Sequence, residues 1–335
     1  MMGVNAIDLG DGLKSFEFFL NPQDQARSSA AKRHNNRPEL ERLAGLYYNE
    51  KLVTIDGIEY PFVYVADSKL DEINLSLLNE PYEVPERFRK FAQSIIEEKK
   101  GSFFDIPHMG IGAWSINDAE GAMSKINLCV RPVGYGEFLA TNKSMDIPLA
   151  KYDPSFREGE TLRSYEVVGG RALDPACSGL SNMLGLGFVV TARGKDGKSY
   201  FILGRRGKNL AVEGGTIGIL GGTPEWGDKH VQDNIMKEME EELTVKPDEF
   251  KMHRCYLAKD FSRAPDLFVH INITGPRIED IVQRCYGNEE VMKEHDRIYA
   301  VPTEPEAIRR IREGGANFDL NVPTIVGLHL FYGRK

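Results

Sequence analysis

The stretch that most constrains this chain runs from Ile217 to Val245. A short apolar run, Ile217-Gly218-Ile219-Leu220, enters a double-glycine turn, Gly221-Gly222-Thr223-Pro224-Glu225, and a polar stretch then leads to Lys237-Glu238-Met239-Glu240-Glu241-Glu242-Leu243. Val231, Ile235, Met236, Met239 and Leu243 recur at helical spacing, which predicts a helix over Lys229 to Leu243 with one face in a core. Offsets of three and four return to the same side of a helix, so Glu238, Glu241 and Glu242 converge on one small volume. Like charges this close repel, and carboxylate oxygens are the donors that hard divalent cations prefer. A solvated acidic face is the ordinary reading of a glutamate run. That reading gives no reason for a glycine turn before the helix or for apolar runs on both sides of it. The combination predicts a Mg2+ site, with Mn2+ as the alternative ion, held by Glu238, Glu241 and Glu242.

The chain has 335 residues, more than one small domain needs, with 41% hydrophobic and 27% charged residues, as in ordinary globular proteins. A formal net charge of −8 argues against a general nucleic-acid or anionic-membrane binder, since those present broad basic surfaces. Cys129, Cys177, Cys255 and Cys285 lie far apart with no Cys-x-x-Cys pair, so free thiols are expected rather than a zinc knuckle. No apolar run approaches the roughly 18 residues of a spanning helix, and the N-terminus lacks a basic flank followed by an apolar segment. The expectation is a cytoplasmic protein with no membrane partner.

Along the chain, residues 1–45 look peripheral, because Gln23 to Arg42 is rich in Arg, Asn, Gln and Ser. Residues 46–170 read as an N-terminal α/β accessory domain. It holds a hairpin from Tyr47 to Val65 turning at Asp56-Gly57, a helix from Glu86 to Lys99, a strand at Ile126 to Val130 and a short helix within Val133 to Asn142. The charged, glycine-bearing stretch Asp153 to Gly170 suits a domain connection. From residue 178 to 335 the pattern is a hairpin, Leu184 to Ala192 and Ser199 to Arg206, then the glycine turn and acidic helix. Strands at Leu267 to Ile273 and Ile298 to Val301 follow, then helices at Pro305 to Glu313 and Val322 to Tyr332. Strands alternating with helices predict an α+β fold: a mixed sheet between helices, preceded by an N-terminal α/β region.

The segment from Gly221 to Thr244 resembles the Nudix box, in which a glycine turn precedes a helix bearing Arg-Glu and Glu-Glu pairs. Here Asp228 stands where the first Glu is expected, Lys237 replaces Arg, Thr244 replaces the final Gly, and one extra residue lies between Asp228 and Lys237. The turn is also similar to the Gly-Gly-His-Pro-Glu turn of the UDP-glucose diphosphatase subgroup, with Thr223 in place of His. Tyr135 to Asn142 resembles a Tyr-x-x-Phe-Leu-Gly-Thr-Asn signature of the same subgroup, with Ala140 for Gly, and Tyr286 to Tyr332 is similar as well. The resemblance implies a Nudix α/β/α sandwich over 178–335. It also implies metal-dependent hydrolysis of a small nucleoside diphosphate derivative, with a UDP-sugar split into UMP and sugar 1-phosphate as the leading case. The alternatives are the same chemistry on ADP-ribose or a dinucleotide, and a catalytically weak domain that binds a nucleotide as a sensor.

Carried onto these residues, Glu238 and Glu242 would hold the cation directly, Glu241 would share it or polarise water, and Asp228 would support from the turn. Lys237 would pair with a box glutamate, or with Glu241 one helical turn on. Arg205 and Arg206 end a strand near Gly222, where a diphosphate would lie. Consecutive strand residues face opposite ways, so one of the two serves the site. Thr141 and Asn142 are candidates to contact the nucleoside or sugar, and a local turn cap is the competing role. Glu294 and His295 sit in the loop that often supplies a general base in this family, and Glu289 and Glu290 fit that role equally.

Overall fold

The computed structural model describes residues 37–55, 57–101, 103, 106–117, 123–207, 215–260, 262, 264–304 and 320–333. The expected helix from Pro305 to Glu313 lies outside the described residues, as do residues 1–36 of the expected peripheral segment. The elements in chain order begin with α1 (Arg37–Leu46), β1 (Leu52–Ile55), β2 (Ile58–Lys69), β3 (Ile73–Leu77), α2 (Arg89–Lys99), β4 (His108–Asn117), β5 (Lys125–Val133), α3 (Tyr135–Ala140) and α4 (Leu162–Glu166). After two short strands, β6 (Val167–Val168) and β7 (Arg171–Ala172), come β8 (Gly185–Arg193), β9 (Ser199–Arg206), β10 (Ile217–Gly218) and α5 (Val231–Leu243). The last are β11 (Phe250–Lys259), β12 (Pro265–Ile273), α6 (Ile278–Tyr286), α7 (Glu289–Glu294), β13 (His295–Pro302) and α8 (Val322–Tyr332).

The main sheet has eight strands in the order β1-β2-β11-β12-β8-β9-β10, with β13 also pairing with β9. It is mixed, because β12 and β8 run parallel while the other pairs are antiparallel. Side-chain alternation sends Leu186, Phe188, Val190 and Ala192 of β8 to one face and Val189 to the other. On the first face α5 buries Val231, Ile235, Met239 and Leu243, the stripe read from the sequence, beside Ile278, Ile281 and Val282 of α6. On the second face α8 contributes Ile325, Val326 and Leu328 against Phe201, Phe268 and Tyr256. Helices therefore cover both sides of a mixed sheet.

The expected division near residue 170 does not coincide with this sheet. The hairpin β1-β2, expected in the accessory unit, pairs through β2 with β11 and forms the edge of the main sheet. A three-stranded sheet, β3-β5-β4, makes a second layer whose Ile111, Ile126, Leu128 and Val130 enter the same core as α5. Asp153 to Gly170 is also more than a connection. Its Arg163 is 4% exposed and holds Asp146 through two bonds of 2.6 and 2.7 Å, and Glu166 accepts from Gly179 N–H and Ser178 Oγ at 2.8 Å. Two of the charges that suggested a linker, Arg163 and Glu166, are thus spent on internal hydrogen bonds.

Helix α5 ends in an unusual way. Thr244 adopts φ 55°, ψ 31°, the left-handed conformation that glycine takes without strain, and its N–H closes the last turn on Glu240 O. Its hydroxyl donates to Leu243 O at 2.6 Å, a partial offset for a β-branched residue at positive φ. Relief of that strain outweighs the added freedom of the unfolded chain, so Thr244→Gly is expected to stabilise by about 1 kcal/mol. A thermal melt of the two proteins checks this. An unchanged or lower Tm would mean that the hydroxyl bond, not the backbone, governs the cap.

Candidate active site

The glycine turn sits where it does because its backbone is gripped from two sides. Leu186 N–H donates to Gly222 O at 2.8 Å and Phe188 N–H to Leu220 O at 2.7 Å, which ties the turn to β8. Gly221 has φ +138°, and a side chain there would strike Leu186 O at 2.0 Å, so the turn admits only glycine. From the helix side, Glu242 Oε2 accepts the Gly221 N–H at 2.9 Å. Asn234, one turn earlier than Glu238, accepts the Glu225 N–H at 3.1 Å. The other neighbour of the turn is the start of β4: Met109 N–H donates to Pro224 O at 2.8 Å and Trp226 N–H to Pro107 O at 2.9 Å.

These contacts border a cleft of about 400 Å³. Glu238, Glu241 and Glu242 all line it, together with Gly221 and Gly222, so the convergence expected from helical spacing places them in one volume. Glu238 lies directly over Gly222, where a methyl group would sit 2.2 Å from its Oε1. Burial, and then the carboxylates of Glu242, Glu241 and Glu294, push the Glu238 carboxyl up to about 8. Glu294 is also raised, first by desolvation and then by Glu242. The most compact set of potential ligands among the described residues is not the expected trio, however. It is Glu242, Glu294 and His295, whose ligand atoms lie within 4.8 Å of one another. Glu238 lies over Gly222, Glu242 accepts from the Gly221 amide, and Glu241 is exposed.

The opposite wall comes from the paired strands β9 and β13. Their register sets His295 against Arg206, and both line the cleft. Arg205 faces away, bonding Gly215 O at 3.4 Å and lying 3.8 Å from Asp296, so the strand alternation puts Arg206 at the site. Arg206 Nε is buried without a hydrogen-bond partner among the described residues. Glu294 and His295 are not in a loop. Glu294 is the last residue of α7 and His295 the first of β13.

Other expected residues lie elsewhere. Lys237 pairs with Glu225 at 2.7 Å rather than with a helix glutamate, a contact that raises its pKa, and it does not line the cleft. Asp228, Glu289 and Glu290 do not line it either. Thr141 and Asn142 are each 1% exposed and serve the chain itself. Thr141 donates to Glu137 O at 2.7 Å, while Asn142 donates to Ser262 O at 2.9 Å and accepts from Ser181 Oγ at 2.9 Å. Their role is the local cap, extended into a tie between three segments. The residues the sequence reading did not select come largely from the N-terminal part. His108 meets Thr223 Oγ1 at 3.1 Å, and Tyr135, Phe138 and Lys143 line the cleft with it. Lys143 is tied to Asp260 at 3.3 Å. Tyr135 and Phe138 stood in the signature-like stretch, which was the available signal. His108 had none, because nothing local announces which strand will border the turn.

No protein-family model matches the chain, and no curated protein matches it. Among solved structures, a Nudix hydrolase from M. smegmatis aligns over 45% of this chain and 84% of its own length, at 10% identity and a TM-score of 0.30. An Ap4A hydrolase from C. elegans aligns over 45% of this chain and 96% of its own, at 13% identity and a TM-score of 0.31. A mutT/nudix family protein from Listeria innocua aligns over 45% and 92%, at 12% identity and a TM-score of 0.32. Likenesses this distant carry no activity over to this chain. No helix among the described residues is long and apolar enough to cross a membrane.

The closeness of Gly222 to Glu238 gives a direct test of the turn. Gly222→Ala should displace the Glu238 carboxylate from its place over the turn and weaken divalent-cation binding by roughly tenfold. Calorimetric titration with Mn2+ checks this, with the circular dichroism spectrum unchanged. Full affinity in the variant would show that Glu238 has no part in holding a cation.

Proposed function

We propose that this protein is a metal-dependent phosphoanhydride hydrolase of the Nudix type that acts on a small nucleoside diphosphate derivative, with a UDP-sugar as the leading substrate. The observation that carries the reading is the charge balance of the cleft beside the glycine turn. Among the described residues, Glu225, Glu238, Glu241, Glu242, Asp260, Asp266 and Glu294 line it, with Lys143 and Arg206 as the cationic side chains. An anionic diphosphate would be repelled from such a cleft unless a cation were bound there. The raised Glu238 carboxyl is the same conflict seen from within the protein. Oxygen-rich donors of this kind fit Mg2+ or Mn2+.

Glu238, Glu241 and Glu242 would hold the cation from the α5 side. When bound, such an ion neutralises charge on phosphate oxygens and makes nearby water more acidic. The rest of the reading concerns the chain's own groups. Arg206, whose Nε lacks a partner among the described residues, supplies a donor for a phosphate oxygen across the cleft. The Gly221 N–H holds Glu242 Oε2, and the other oxygen, Oε1, lies 3.8 Å from His295 Nε2. Tyr135 and Phe138 give an aromatic wall, with ring centroids 5.6 Å apart, against which a base or sugar can pack. Hydrolysis of a phosphoanhydride needs positioning and charge stabilisation rather than covalent help, which is what these groups can supply.

The test is a panel of UDP-sugars, ADP-ribose and dinucleotides assayed with Mg2+ and Mn2+, with products identified. Release of UMP and sugar 1-phosphate is expected from the best substrate. Glu242→Gln and Glu241→Gln should each lower kcat by about 100-fold or more while nucleotide binding largely survives. Tight binding of a nucleotide without turnover under any metal would replace this reading with that of a sensor.

A further inference from the structure

We infer that Glu242, Glu294 and His295 form a mixed oxygen and nitrogen cation site, with the His295 imidazole as a direct ligand, so that the cleft takes a divalent transition ion such as Mn2+ or Co2+ in preference to Mg2+. This deepens the metal part of the proposed function and rests on it. The first support is position. Glu294 and His295 are consecutive, at the junction of α7 and β13, and the Gly207 N–H donates to Glu294 O at 2.8 Å to fix that corner. Their ligand atoms and those of Glu242 lie within 4.8 Å of one another. His295 Nε2 is 3.8 Å from Glu242 Oε1. Two ligands that each stand about 2.0–2.2 Å from one ion can be separated by up to about 4.4 Å, so this pair already spans a suitable gap.

The second support is independent of the acidic cluster. His295 is 3% exposed, and neither ring nitrogen has a hydrogen-bond partner among the described residues. A buried imidazole with both nitrogens idle is costly, and protein interiors rarely leave such a group without a purpose. The chain also makes room for it. Gly204 lies in the interior of β9, and a methyl group there would stand 2.5 Å from His295 Nδ1. A general base is expected to be held by an orienting hydrogen bond. At 3.8 Å the Glu242 contact is too long to be one, and the separation suits two groups that ligate one ion. Mg2+ favours oxygen donors and sheds its water reluctantly, whereas divalent transition ions accept an imidazole nitrogen more readily, Mn2+ least and Co2+ more strongly along the series.

Pulsed electron paramagnetic resonance of Mn2+ bound to the full chain, without substrate, tests this directly. The expected result is echo modulation from a coordinated imidazole nitrogen in the wild type. In His295→Gln that modulation should disappear, and Mn2+ affinity should fall by roughly tenfold or more while Mg2+ affinity changes by less than about twofold. Glu294→Gln should weaken Mn2+ while keeping the nitrogen signal, which controls for a folding defect in the histidine variant. Bound Mn2+ without nitrogen modulation, or modulation that survives in His295→Gln, overturns the inference and leaves the hydrolase reading standing. No Mn2+ binding at millimolar concentration overturns the inference and removes the metal from the hydrolase reading as well. Nitrogen-coordinated Mn2+ in a protein that cleaves nothing on the substrate panel supports the site and sinks only the hydrolase.

Discussion

The site depends on the seating of the Gly221-Gly222 turn between strand β8 and helix α5. Two amides of β8 hold the carbonyls of Gly222 and Leu220, and a carboxylate of α5 holds the Gly221 amide. A side chain at Gly221 would collide with the Leu186 carbonyl, so the closeness of turn and strand is possible only with glycine there. Once the turn is fixed, Glu238 must lie over it and Glu242 must point back to it. Helix spacing brings the glutamates to one side of α5, and the turn decides what they face.

Crowding carboxylates on one cleft is unfavourable, and the packing around this one is extensive. The apolar stripe of α5 is buried among β8, β12 and α6 on one face of the sheet, and α8 closes the other. The two faces are linked at the turn. Thr324 near the start of α8 accepts the Ile219 N–H at 2.7 Å, while Asn321 caps the helix by accepting from Thr324 N–H at 3.0 Å. The strand entering the glycine turn is therefore braced by a helix from the far side.

The N-terminal region is part of this construction. Strand β4 borders the turn, His108 meets Thr223, and Tyr135 and Phe138 form a wall of the cleft. A tie of buried polar groups, Asn142 with Ser181, Asn182 and Ser262, holds that wall in register with the main sheet. Thr141 and Asn142 matter here as structure. Both are buried and bonded within the chain, and neither lines the cleft.

Local physics is written in the sequence. The periodicity of Val231, Ile235, Met239 and Leu243 determined the acidic helix, the apolar runs on either side of Gly57 determined the first hairpin, and strand alternation determined that Arg205 and Arg206 face opposite ways. Less regular segments such as Phe250–Lys259, with Lys251, His253 and Arg254 in its first half, gave no clean alternation, and β11 became evident only as a paired strand. Which residues meet across the cleft was decided by tertiary structure alone. The pairing of β9 with β13 brings His295 and Glu294 to Glu242, and the approach of β4 brings His108 to the turn. The reason is physical: periodicity along a chain fixes the direction in which a side chain points, but a site is made by separations between segments distant in sequence, and those are set by packing.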